Sequence, residues 1–131
     1  MRVRLPLLPP MKFKNSISNF WSSLERIVNN SQVVIDRPKG TAHPRYPDFI
    51  YPVDYGYLEG TTSMDGGGID VWKGSGKNGF DAILCVVDNV KSDSEIKILL
   101  NCTQKDKDKI LHAQNTGGLS AILINRKPNR N

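Results

Sequence analysis

The stretch Tyr51–Val71 reads YPVDYGYLEGTTSMDGGGIDV, and its centre is Asp65-Gly66-Gly67-Gly68-Ile69-Asp70. Two carboxylates bracket three consecutive glycines. Glycine reaches backbone conformations closed to other residues and has no side chain to hold a ligand off. A loop of this kind can turn back so that Asp65 and Asp70 point at one place. Convergent carboxylates suit a hard cation such as Mg2+, which takes oxygen ligands, keeps several waters and usually shares the phosphates of a substrate. The same composition also makes an ordinary surface turn with two solvated acids. Both readings stand at this level.

On either side, 55–60 (YGYLEG) and 69–73 (IDVWK) read as strands. Upstream, residues 37–48 (RPKGTAHPRYPD) hold prolines at 38, 44 and 47, which exclude a regular helix or a central strand. This basic, irregular loop beside an acidic one is either an anion-holding segment or a surface connector. Before it, 32–36 (QVVID) is a short β-like run. In 16–29 the residues Ile17, Phe20, Trp21, Leu24, Ile27 and Val28 recur at helical spacing, which predicts an amphipathic helix. Its apolar face is expected in the core, with a partner-binding face as the alternative.

Downstream, 74–79 (GSGKNG) lacks the Ser or Thr of a phosphate-binding P-loop and is followed by a strand, so it predicts a hairpin turn. Residues 80–90 and 95–102 are strands joined by a tight turn. Residues 103–115 form a short helix capped by Thr103, its KDKDK run a solvated face. Residues 119–124 (LSAILI) are a last strand.

The chain has 131 residues, 38% hydrophobic and 24% charged, and reads as one globular domain. Its net charge is +5, but seven of the 18 Lys and Arg lie in 1–14 and 126–131, which hold no acids. The body therefore carries 11 basic against 13 acidic residues and is not a nucleic-acid platform. No apolar run reaches membrane-spanning length. Cys85 and Cys102 form no metal-type pair and read as reduced thiols, which predicts a cytoplasmic protein.

Residues 32–73 resemble a shortened, divergent soluble (family I) inorganic pyrophosphatase. Tyr51-Pro52-Val53-Asp54-Tyr55-Gly56-Tyr57 is similar to that family's YPxNYGY segment, and Asp65–Val71 resembles its DGDPLDV signature. Val34-Ile35-Asp36-Arg37-Pro38 through Arg45-Tyr46 resembles IExP…KY. The resemblance implies an α+β fold, a small OB-like five-stranded β-barrel with an N-terminal helix and a short C-terminal helix. It implies hydrolysis of pyrophosphate, or of a related phosphate-bearing small molecule, with Mg2+, and a homo-oligomer as one possible state.

Carried over by position, the resemblance makes Asp65, Asp70 and Asp36 metal ligands. Asp93 is the candidate for a further metal-binding acid, with Asp88 and Glu95 as rivals. Asp70 and Tyr55 are the catalytic candidates, and Lys39, Arg45 and Tyr55 the substrate-binding ones. Asp48 or Asp54 is a candidate to assist proton transfer. The chain departs from the family at Gly67, where the family has an aspartate that helps activate water. It also departs at Pro47, where the family has another acid. A phosphate-binding arginine insertion and a C-terminal Tyr-Lys pair are missing. A fold of this kind that binds metal and a phosphate-bearing ligand without turnover is the alternative reading. The expected organisation is a disordered basic extension over 1–14, one domain over 15–126 and a tail over 127–131.

Overall fold

The computed structural model describes residues 13–127. The basic extension and the tail expected from sequence lie almost wholly outside the described residues. The first helix, α1 (Phe13–Asn29), starts two residues before the expected domain boundary. Six strands follow: β1 (Val33–Arg37), β2 (Asp54–Leu58), β3 (Ile69–Lys73), β4 (Phe80–Asp88), β5 (Asp93–Leu100) and, after helix α2 (Gln104–Ala113), β6 (Leu119–Asn125).

They form one sheet in the order β1-β2-β3-β5-β4-β6. The OB-like α+β arrangement expected from the sequence is present, with one strand more than five, and the sheet is open rather than closed into a barrel. All pairings are antiparallel except β3 with β5, where Val71 lies opposite Ile98 and Trp72 opposite Leu99. The Gly74–Gly79 segment is therefore not the hairpin turn predicted above. It carries the chain past β5, which sits between β3 and β4. The segment is pinned to the end of β5: Gly74 N–H donates to Leu100 O at 2.9 Å and Gly76 N–H to Asn101 O at 2.8 Å. A Cβ at Gly74 would stand 2.5 Å from Asn101 O, so this approach requires glycine.

Alternation along the strands splits the apolar residues between two cores. On one face Trp72, Ala82, Leu84, Val86 and Leu99 pack with Ile110 of α2. On the other, Val71, Ile83 and Ile98 pack with Trp21 and Val28 of α1. Only part of the α1 stripe is buried. Ile17, Phe20 and Ile27 stay exposed.

Helix α2 begins as the sequence predicts. Thr103 Oγ1 accepts from Asp106 N–H at 3.1 Å, and Asp106 Oδ2 accepts from Thr103 N–H at 3.0 Å, a reciprocal cap. Lys105, Asp108 and Lys109 of the KDKDK run form the solvated face expected of it, but its other two residues do not. Asp106 and Lys107 are buried. Asp106 also accepts from Ser75 N–H at 3.1 Å, and Lys107 Nζ reaches Asn125 Oδ1 at 2.9 Å and Asp81 at 3.2 Å. Buried charges of this kind are tolerated because Asp106 is hydrogen-bonded and Lys107 is paired with Asp81.

Candidate functional site

Strand register builds the site. Asp70 of β3 lies opposite Tyr57 and Trp72 opposite Tyr55. Side chains two apart share a face, so Tyr55, Asp70 and Trp72 look the same way. The parallel β5 places Leu99 opposite Trp72, which brings Lys97 and Glu95 onto that face as well. Helix α2 covers the apolar end of this surface, and the polar end is left as a cluster.

Lys97 Nζ is its centre. It donates to the Tyr55 hydroxyl at 2.6 Å, and lies 3.4 Å from Asp70 Oδ2 and 3.6 Å from Glu95 Oε2. It also stands 4.8 Å from the Tyr55 ring centroid, a cation–π distance. Burial, then the charge of Asp70, holds the Tyr55 phenol well above its usual range, so it stays protonated. Burial and a hydrogen bond with Asp70 push the Glu95 carboxyl up to about 7, against the opposing pull of Lys97. Asp65 stands at the rim, within hydrogen-bond reach of Glu95. The Ser63 hydroxyl at 2.6 Å and the Gly67 N–H at 2.9 Å hold its carboxyl below the usual range.

The balance among these charges is testable. Glu95 titrates higher in the folded chain than its ordinary 4.5, so folding favours its protonated form. That stabilisation is present at low pH and is lost as pH rises through about 7. In Lys97→Met the cation is gone, so Glu95 titrates higher still, and stability falls more steeply between about pH 5 and pH 8. Carboxyl NMR titration and melting curves at the two pH values measure this. An unchanged Glu95 titration would show that Lys97 does not balance the cluster.

The structure brings together Asp65, Asp70 and Tyr55 of the residues predicted from sequence. It does not bring in Asp93. That residue sits at the hairpin end opposite Asp88, two positions from Glu95, about 6–7 Å along the strand. Asp88 accepts from the Val90 and Lys91 N–H groups and closes the turn. Glu95, one of the two rivals, is the acid that joins the cluster. Asp36 is exposed where β1 breaks register between Ile35 and Arg37, and its charge acts on Tyr51, as that of Asp70 does. Lys39 and Arg45 lie on the exposed loop before β2. Asp54 Oδ1 accepts from Lys39 N–H at 2.8 Å, so this carboxylate anchors the loop. Asp48 is exposed on the same loop.

Two residues escaped the sequence reading. Lys97 centres the cluster, and the Arg37 cation acts on the Tyr51 hydroxyl beside it. The run Asp93, Glu95, Lys97, all two apart in the strand, was the available signal for one polar face.

Among the described residues no group of three or more His, Cys, Asp or Glu is set to hold a metal ion. The donor chemistry of Asp65, Asp70 and Glu95, all hard oxygens, still fits Mg2+. The three are not gathered around one point, and substrate phosphates would have to supply the remaining oxygens.

No family model matches the chain, and no curated protein matches it. Solved structures do. An inorganic pyrophosphatase from Neisseria gonorrhoeae matches with a TM-score of 0.53 at 18% identity, over 67% of this chain and 77% of that one. That of Helicobacter pylori matches at 0.51 and 17%, over 71% and 81%. That of Coxiella burnetii matches at 0.51 and 13%, over 71% and 82%. The fold is pyrophosphatase-like. At such identities the likeness speaks for the architecture alone. Within the pyrophosphatase-like frame, the roles of individual side chains rest on their geometry here. No helix among the described residues is long and apolar enough to cross a membrane.

Proposed function

We propose that this chain hydrolyses pyrophosphate, or a related phosphoanhydride, with Mg2+ as cofactor. The observation that carries the reading is the Tyr55–Lys97–Asp70–Glu95 cluster, with Asp65 at its rim, on a pyrophosphatase-like sheet. Asp65, Asp70 and Glu95 would hold the cation, with Asp36 and Asp93 as outlying acids. When bound, it neutralises phosphate oxygens and lowers the pKa of a water. Lys97, Arg37, Arg45 and Lys39 balance the charge of the substrate, and the Tyr55 hydroxyl orients a phosphate oxygen. Water adds to one phosphorus as the bridging P–O bond breaks, and the leaving phosphate takes that bond's electron pair. The proton that water gives up has the cluster carboxylates to receive it. The free thiols Cys85 and Cys102 accord with a cytoplasmic setting.

A second reading, binding without turnover, is favoured by Gly67. A Cβ there would stand 3.3 Å from Asp65 Oδ1, and the sequence places no side chain beside that carboxylate. Phosphate release from pyrophosphate with saturating Mg2+, set beside the same assay in a chelator, separates the two. Release that requires Mg2+ supports hydrolysis. A melting temperature raised by Mg2+ and pyrophosphate without release supports the silent binder. Neither release nor a thermal shift would sink both.

A further inference from the structure

The loop that precedes β2 carries a second feature, an aromatic ledge running away from the acid cluster. From Tyr55 the rings proceed to Tyr51 at 5.4 Å and 27°, to His43 at 6.2 Å and 15°, and to Tyr46 at 5.0 Å. Tyr51 is buried, whereas Tyr46 is 56% exposed at the outer end. The ledge is held by its backbone. His43 N–H donates to Phe49 O at 2.9 Å, Phe49 N–H to Tyr46 O at 2.9 Å, and Tyr51 N–H to Thr41 O at 2.9 Å. His43 Nδ1 accepts from the Arg45 and Tyr46 N–H groups at 3.0 and 3.3 Å, which puts the imidazole proton on Nε2. Pro44 and Pro47 stiffen the same segment. An exposed ring fixed in this way loses little entropy when a ligand packs on it.

Cations accompany the rings. Arg37, Lys91 and Arg45 all act on His43, and the charges of Arg37, Asp36 and Asp70 all act on Tyr51, next to the cluster. Arg37 therefore acts on both His43 and Tyr51, between the acid cluster and the open aromatic face. Bare pyrophosphate has nothing to place on that face. A base has a π surface that stacks on tyrosine, and its phosphates follow the arginines.

We propose that Tyr46 and His43 form a base-stacking subsite, so that the phosphoanhydride taken by this chain is a nucleoside 5′-polyphosphate. This rests on the phosphoanhydride reading above and narrows its substrate class.

Calorimetry with Mg2+ tests it, using methylenediphosphonate and α,β-methyleneadenosine 5′-diphosphate. The two share a non-hydrolysable diphosphate unit and differ by the nucleoside. The nucleotide is expected to bind about 5- to 100-fold more tightly, the range that one base–aromatic stack supplies. Tyr46→Ala should remove that gain and leave methylenediphosphonate binding unchanged, while Tyr46→Trp should retain it. Equal affinity for the two ligands in the wild type, or a gain that survives Tyr46→Ala, overturns the stacking subsite and leaves the phosphoanhydride reading intact. Binding of neither ligand overturns that reading and the subsite with it.

Discussion

Asp70→Asn lowers Mg2+-dependent phosphate release by roughly 100- to 1,000-fold, the size seen when one aligned electrostatic partner is removed from an active site. The substitution is nearly isosteric. It takes one negative charge from a face where Asp70 and Glu95 hydrogen-bond and where Lys97 lies within 3.6 Å of both. The fold should not suffer, because Lys97 keeps Glu95 and Tyr55 as partners. The melting temperature is therefore expected to hold or rise as turnover falls. A variant that retains release within a few-fold of wild type would remove Asp70 from the chemistry. One that loses release and melts well below wild type would show only that the sheet had been damaged.

Gly56→Ala is expected to cost roughly 3–4 kcal/mol, with the melting temperature falling on the order of 10 °C. Gly56 sits between two strands, opposite Ile35 of β1 and Val71 of β3. A Cβ there would collide with the carbonyl of Val34 and stand 2.9 Å from the Cα of Ile35. Those are backbone atoms of a hydrogen-bonded strand and have no rotamer to move into. β1 must move off the sheet edge, taking Asp36 and Arg37 with it. Melting curves read the first effect, and amide exchange along β1 reads the second. A melting temperature within about 2 °C of wild type would mean that β1 relaxes more easily than the packing implies.

The local half of the site could be read in the sequence. Asp65 and Asp70 lie five positions apart, and both act on Glu95. Tyr55 follows from the same stretch, since β2 and β3 pair directly. The other half depends on which strand lies beside β3, and spacing does not reveal that. Reading Gly74–Gly79 as a hairpin would have put β4 there. The parallel pairing of β5 puts Glu95 and Lys97 there instead, from more than twenty residues away. Asp93, Asp88 and Glu95 are equivalent on a loose alignment, and the register of β5 is what sets Glu95 beside Lys97. Lys107 shows the opposite limit. A Lys-Asp-Lys-Asp-Lys run is ordinarily solvated, and its burial is set by Asp81 and Asn125, each on a different strand.

The two tryptophans give this sheet a built-in optical division. Trp72 lies 4.5 Å from the Tyr55 ring, in the core beneath the cluster, and Trp21 lies against Phe80 in the core on the other side. Intrinsic emission from a Trp21→Phe chain therefore comes from the site side alone, and that from a Trp72→Phe chain from the helix side alone. A ligand that settles near Tyr55 should change the first spectrum and leave the second still, so occupancy can be followed without a label and apart from any loosening of α1.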